Sequence, residues 1–286
     1  MVMETGLQKQ SADIFAELER VGGAPDETID VAEVALLLGA LDRPGVPLDR
    51  YRHHLGRLVK EFEGVTALSS RARGEALASF LAGDKDYRGD EESYDNLENA
   101  NLLSVIDRRR GLPVSLAIIY LHVARSRGWD AAAVNFPGHV LFRIDGDKDR
   151  TMIDPFRGGA LIDAQGLREL LKKTAGTQAE LKPEFYEPLG NRALLLRLQN
   201  NIKVRALKLG DMDKAVDVLR RMVAIAPMEV EAWYELGVLL IHQEKLREGR
   251  DALETCLARI DYVDGRVGLR GQVLQTLSEL SASLDG

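Results

Sequence analysis

The chain has 286 residues, of which 45% are hydrophobic and 29% charged, a balance typical of folded globular domains and not of disordered chains. With 38 lysines and arginines against 45 aspartates and glutamates, its net charge of −7 argues against a nucleic-acid-binding protein, because phosphate attraction needs clustered cations. The single cysteine, Cys256, excludes an internal disulfide, and no segment resembles a signal peptide or a membrane span, so we expect a cytoplasmic protein.

The first part of the chain has helical patterns. Residues 31–41 (VAEVALLLGAL) are apolar almost all round, as in a deeply buried helix, and residues 48–62 have apolar positions at helical spacing. A further helix fits 69–82, and a short one fits 98–110. Between them, the charged, turn-rich segment 83–99 is predicted to be a long surface loop.

The middle of the chain changes character. Pro113 opens a strongly apolar helix that Gly128 closes. Strand patterns follow at 131–136, 139–145 and 150–154, with the polar turn DGDKD between the second and third strands, and a helix fits 161–174. A helix followed by antiparallel strands predicts an α+β fold.

The C-terminal part is helical and repetitive. A 34-residue helix–turn–helix repeat has a tryptophan followed by Leu-Gly in its first helix, a pattern that Trp233 and Gly237 fit. We predict two such units at about 194–227 and 228–261, and a capping helix at 265–284.

Three residues could form a catalytic site. Ser115 lies near the start of the apolar helix, where unpaired N–H groups favour an anion. His139 begins a strand, and Asp154 ends the next one. Their numbers lie almost symmetrically about the 145–149 turn, so a hairpin would bring the histidine and the aspartate together.

The sequence resembles a known family over about 30–260. The segments NLLSVIDRRRGLPVSLAIIYLHVARSRGW, NFPGHVLFRID and MIDPFRGG are similar to the transglutaminase-like core of the bacterial SirB family, in which tetratricopeptide repeats follow that core. The resemblance implies a helical N-terminal region and a papain-like core with a small antiparallel sheet within 1–188, and an all-α tetratricopeptide-repeat-like domain within 189–286.

The resemblance also implies roles for individual residues. In active transglutaminase-like enzymes the catalytic triad is Cys, His and Asp; His139 and Asp154 match the last two, but Ser115 stands where the cysteine belongs. A serine hydroxyl is much harder to deprotonate than a thiol, which predicts weak activity or none. The enzymes use an upstream Gln or Trp at the oxyanion, whereas Arg109 stands six residues before Ser115.

Each candidate also has a structural interpretation. Ser115 could be a helix cap, and His139 with Asp154 could be a buried hydrogen-bonded pair. The run Arg108–Arg110 could recognise a carboxylate or phosphate, with Arg109 and Arg110 as ligand-binding residues, or it could only favour the end of a helix. We expect no metal site and no cofactor.

Three hypotheses of function follow. The first is a non-catalytic or weakly active protein, a pseudoenzyme, that binds a protein or peptide partner through the repeat domain or the cleft, and neither a nucleic acid nor a membrane. The second is a serine-dependent acyl transferase or hydrolase, protease-like, in which Ser115 attacks an amide or ester, His139 is the base and Asp154 orients it. The third is a sensor of a small ligand that uses the arginine cluster.

Overall fold

Helices make up most of the computed structural model, which describes residues 2–260 and 267–284. By internal contacts the chain divides into unit 1 (Met1–Ile14 and Pro25–Leu198) and unit 2 (Phe15–Ala24 and Gln199–Gly286). The helices are α1 (Val2–Gly23), α2 (Val31–Ala40), α3 (Leu48–Phe62), α4 (Ser70–Ala78), α5 (Leu102–Arg108), α6 (Pro113–Ser126), α7 (Ala164–Ala175), α8 (Asn191–Lys208), α9 (Met212–Ile225), α10 (Val230–His242), α11 (Leu246–Ile260) and α12 (Val267–Leu284). The strands are β1 (Arg88–Gly89), β2 (Arg110–Gly111), β3 (Ala131–Phe136), β4 (His139–Asp145), β5 (Arg150–Asp154) and β6 (Ala160–Ile162).

The predicted α+β class is confirmed in unit 1, where α6 is the buried central helix. Pro113 occupies its first position, which suits proline because no intrahelical N–H bond is lost there. The chain leaves α6 at Gly128, whose φ of +65° favours glycine. Eleven of the fourteen residues of α6 are buried, and Tyr120 meets Phe142 of β4 edge-on at 5.7 Å between ring centroids.

The sheet is antiparallel in the order β3-β4-β5-β6. Strands β3, β4 and β5 have the bounds that the sequence predicts, and the β4–β5 hairpin closes with Asp145 opposite Arg150. The sequence pattern does not predict the fourth strand, because it assigns Leu161 and Ile162 to the helix 161–174. They pair instead with Ile153 and Met152 of β5, and the side chain of Asp163 accepts a hydrogen bond from the Gly166 N–H to start α7 at residue 164.

Most residues of the segment 83–99 are exposed, as its charge predicts, but the segment is anchored at a few buried positions. Strand β1 pairs in parallel with β2, and Tyr87, just before it, is fully buried. Asp90 is also buried because Arg108 and Ser93 satisfy its carboxylate at 2.7 Å each. Asp90 can therefore be buried, since its partners come from α5 and from its own segment, whereas the other charged residues of 86–95 are exposed.

In unit 2, α10 and α11 lie in very close contact at two glycines. A Cβ built on Gly237 would lie 2.7 Å from the Leu253 side chain, and one on Gly249 would lie 2.7 Å from the Ile241 side chain. Residues 267–284 of the predicted cap at 265–284 form α12, and residues 265 and 266 lie outside the described residues. Asp261, the predicted end of the second repeat unit, also lies outside them.

Substituting Gly249 with alanine is expected to lower the free energy of unfolding by about 1–3 kcal/mol, because the new methyl group would overpack the α10–α11 contact. Urea denaturation would measure the change. Gly271→Ala in α12 is the matched control, because no atom of the described residues lies within 4 Å of its added Cβ. It should leave stability unchanged or raise it by up to about 1 kcal/mol. Equal stabilities of Gly249→Ala and the unsubstituted protein would contradict this close approach.

Candidate active site

The β4–β5 hairpin brings His139 and Asp154 together. The His139 Nε2 atom lies 2.9 Å from Asp154 Oδ1, and the two side chains are 11% and 0% exposed. Because an ionised carboxylate only accepts hydrogen bonds, Nε2 carries the hydrogen and Nδ1 is left as the basic nitrogen. The pair thus has the hydrogen-bonding pattern of a general base and its orienting carboxylate.

Asp154 is also held from its own chain. Its Oδ1 atom accepts hydrogen bonds from the backbone N–H groups of Phe156 at 3.0 Å and Arg157 at 3.4 Å. Its Oδ2 atom is buried and has no hydrogen-bond partner among the described residues; Arg157 Nε lies 3.7 Å away. The buried Tyr120 hydroxyl likewise has no partner in that part of the chain, and burial together with Asp154 raises the pKa of Tyr120. The carboxylate is therefore fully buried and held by His139 and by its own backbone.

Ser115 has a different partner. It is the third residue of α6, and Leu112 is the N-cap residue, so Ser115 is not the helix cap that one structural interpretation supposes. Its hydroxyl donates a hydrogen bond to the backbone carbonyl oxygen of Asn99 at 2.7 Å, and the side chain is fully buried. The structure thus brings His139 and Asp154 into contact, while the hydroxyl of Ser115 is bonded to neither.

The thiol of Cys256 is not an activated nucleophile that could replace Ser115. It lies in α11 of unit 2, where its thiol donates to the carbonyl oxygen of Val230 at 3.2 Å. Burial, with Glu231 adding to it, raises the pKa of Cys256 to about 11. A thiol of this kind is not an activated thiolate near neutral pH.

Phe156 covers the histidine. Its ring meets His139 edge-on at 6.0 Å and Tyr94 at 5.7 Å between ring centroids. Gly89 of β1 lies against the Phe156 ring so closely that a Cβ at residue 89 would be 2.5 Å from Cδ2. The sequence pattern did not single out Phe156; its place after the Asp-Pro pair is the only local signal.

A cleft of about 1090 Å³ opens beside Phe156. Its basic lining residues are Arg88, Arg108, Arg110 and Arg157. These guanidinium groups have protein partners: Arg108 binds Asp90 at 2.7 Å, and Arg110 binds the Asp86 carboxylate at 3.1 Å. Burial would raise the pKa of Asp90, but the hydrogen bonds from Ser93 and Arg108 outweigh it and lower that pKa to about 2.

Arg109 lies apart from Arg108 and Arg110. Its backbone is left-handed, with a φ of +60°, at the C-terminal end of α5. Its guanidinium lies over the Tyr87 ring at 4.6 Å and donates to the Tyr87 hydroxyl and to His54 Nε2. Arg110 lines the cleft, whereas Arg109 lines a separate pocket, and ligand binding by either residue stays a prediction.

Neither metal binding nor membrane insertion is indicated by the described part of the chain. Within residues 2–260 and 267–284, no group of three or more His, Cys, Asp or Glu side chains is arranged to hold a metal ion. No helix in these ranges has both the length and the apolar character needed to cross a bilayer.

Helix α6 packs against the antiparallel sheet, and a hydrogen-bonded His–Asp pair lies on the β4–β5 hairpin, as expected for a transglutaminase-like core. Residues 49–200, more than half of the chain, match the model of the transglutaminase-like superfamily, and the chain belongs to that superfamily.

Known proteins are similar to this chain over different shares of its length. The UPF0162 protein of Xylella fastidiosa (strain 9a5c) is 27% identical over 265 residues, which cover 88% of this chain and 94% of that protein. F-box only protein 21 of Mus musculus is 36% identical over 69 residues, which cover 24% of this chain and 11% of that protein. The crystal structure of menin is similar at a TM-score of 0.40 and 10% identity, covering 86% and 68% of the two chains, a level too low to assign a fold.

Proposed function

We propose that this protein is a SirB-type member of the superfamily that binds a protein or peptide partner and has little or no catalytic activity. The observation that carries the proposal is the state of Ser115. Its hydroxyl is fully buried, and its hydrogen is donated to the Asn99 carbonyl at 2.7 Å. A serine nucleophile must instead donate this hydrogen to a general base as it attacks.

The chemistry of oxygen reinforces this conclusion. A thiol near a histidine and a helix N-terminus ionises readily, whereas a serine hydroxyl becomes nucleophilic only while a base removes its proton. The pair of His139 and Asp154 then has a structural role: it fixes the end of β5 against the start of β4. The cleft beside Phe156 remains as a surface for a partner.

The helices of the C-terminal region support the repeat part of the proposal. Helices α8 and α10 end at Lys208 and His242, and α9 and α11 begin at Met212 and Leu246, an offset of 34 residues in both cases. This offset equals the tetratricopeptide period. We therefore propose a core domain at 1–188 and a repeat domain at 189–286, whose helices would offer a partner-binding groove.

One observation favours a serine-dependent acyl transferase or hydrolase as the second candidate. His139 and Asp154 lie 2.9 Å apart with the hydrogen on Nε2, as a general base requires. Activity would need the Ser115 hydroxyl to leave the Asn99 carbonyl and to turn toward the free Nδ1 atom.

A fluorophosphonate probe distinguishes the two candidates. We expect no mass to be added at Ser115 after prolonged incubation, because the hydroxyl is buried and bonded to a carbonyl oxygen. A known serine hydrolase in the same reaction shows that the probe is active, and intact-mass analysis gives the readout. Labelling that disappears in both Ser115→Ala and His139→Ala would overturn the non-catalytic proposal. Ser104→Ala, which removes another buried hydroxyl, controls for general effects of such a change.

A further inference from the structure

A second pocket lies between α3 and the end of α5. It has a volume of about 320 Å³ and is called here the arginine pocket. The charged and titratable groups that line it are Arg50, Tyr51, His53, His54, Arg57, Asp107 and Arg109. It shares none of these residues with the cleft beside Phe156.

The arginine pocket has an excess of positive charge. Its carboxylate, Asp107, is bound by Arg43 and Arg50 at 2.9 Å each, and by the Tyr51 hydroxyl at 2.8 Å. Among the described residues, neither Arg57 nor Arg109 forms an ion pair. Two guanidinium charges at this pocket therefore lack an acidic partner in that part of the protein.

Arg109 is held in place before any ligand binds. Its left-handed backbone is a conformation that residues other than glycine adopt at a cost, so its surroundings must stabilise it. The guanidinium lies 4.6 Å from the Tyr87 ring centroid, and its Nη1 atom donates to the Tyr87 hydroxyl and to His54 Nε2. Its Nε and Nη2 atoms have no hydrogen-bond partner among the described residues, which leaves them available to a ligand.

The pKa of His54 reflects the positive charge of this pocket. It is 9% exposed, and its Nε2 atom accepts hydrogen bonds. Burial, then the cations Arg109, Arg57 and Lys85, lower the pKa of His54 to about 4. The ring is thus neutral near pH 7, and it supports Arg109 without adding a charge of its own.

We propose that the arginine pocket binds the phosphate group of a small phosphorylated ligand. A phosphate monoester carries about −1.5 to −2 charges near pH 7, which matches two unpaired guanidinium groups, whereas a single carboxylate would leave one unpaired. The pocket volume of about 320 Å³ lies at the small end of ligand sites. This inference does not depend on whether Ser115 reacts.

Inorganic phosphate is the probe for the test. The full chain, labelled with ¹⁵N in histidine, is titrated at constant ionic strength while the imidazole signals are recorded by NMR. We expect saturable shifts of the His53 and His54 signals and none of the His139 signal. Acetate at the same concentration should shift them less. The absence of a saturable shift, or an equal response to acetate, would overturn the proposal.

Three variants locate the site. Arg57→Gln and Arg109→Gly should each weaken phosphate binding at least about tenfold, because each removes charge-assisted hydrogen bonds. Glycine suits residue 109 because it adopts a φ of +60° without strain. Lys60→Gln also removes one positive charge from α3, but Lys60 does not line the pocket. The affinity of this variant for phosphate should therefore stay unchanged. Equal weakening in Lys60→Gln would show nonspecific attraction and would overturn the proposal. If Arg109→Gly fails to fold, the exposed Arg57 decides the test.

Discussion

The variant Asp154→Ala is expected to lose about 3 kcal/mol of unfolding free energy. The substitution removes the acceptor of the His139 Nε2 hydrogen and of the N–H groups of Phe156 and Arg157, in a place with no exposure to solvent. Buried donors that lose their partner cost far more than exposed ones, since water cannot replace the missing oxygen. Chemical denaturation at pH 7 would measure the loss.

Asp154→Asn is the matched control for this prediction. The amide oxygen of asparagine can still accept from His139 and from the backbone of Phe156, so the loss should be about 1 kcal/mol. Similar losses in the alanine and asparagine variants would mean that the charge of the carboxylate, and not its role as an acceptor, stabilises the hairpin.

Acidification is expected to destabilise the fold through His54. The pKa of His54 is about 4 in the folded protein, whereas its ordinary value, taken for the unfolded chain, is 6.5. Between pH 4 and pH 6.5 the unfolded chain therefore binds a proton at His54 that the folded protein does not bind. The contribution of His54 to the free energy of unfolding is therefore fully present above pH 6.5 and is lost as the pH drops toward 4. At about 1.36 kcal/mol per pKa unit the loss amounts to roughly 3 kcal/mol. The cause is burial first, and then repulsion by Arg109, Arg57 and Lys85, which Glu61 partly offsets.

The variant His54→Gln isolates this contribution. Unfolding free energies of both proteins would be measured by urea denaturation at pH 6.5, 5 and 4, and the unsubstituted protein should lose roughly 3 kcal/mol more than the variant. The pKa of His122 is also lowered by burial, but that group is present in both proteins. The contribution of Asp90 is lost only below its ordinary pKa of 3.8. Parallel stability curves would contradict a neutral, buried His54.

The hairpin that carries the His–Asp pair could be predicted because its information is local. Short runs of strand character at 139–145 and 150–154 predict β4 and β5, and the polar segment 145–149 predicts the turn between them. The register of a hairpin follows from its turn, so the approach of His139 to Asp154 follows from their distances along the chain.

The surroundings of Ser115 could not be predicted in this way. Its partner, the Asn99 carbonyl, lies 16 residues earlier, and its position depends on the fold of the segment before α5. A serine near a helix start suggests a cap, but Pro113 sets the start of α6 so that Leu112 occupies the cap position.

The three consecutive arginines show the same limit. The sequence presents Arg108, Arg109 and Arg110 as one cluster. The left-handed backbone at Arg109 turns the chain, so Arg108 and Arg110 line the cleft and Arg109 lines the arginine pocket. Arginine does not favour a positive φ, so its residue type does not predict this turn, whereas a glycine or an asparagine would suggest one.

The contact between Gly89 and Phe156 makes the two positions interdependent. An added methyl group at residue 89 would lie 2.5 Å from the ring, so both residues compete for one volume. A larger residue at position 89 is expected to fit only when a smaller residue replaces Phe156. The effect of a replacement at one position on stability therefore depends on which residue occupies the other. Because the Phe156 ring also touches His139, such a compensating exchange would change the polarity around the imidazole without any substitution of the histidine itself.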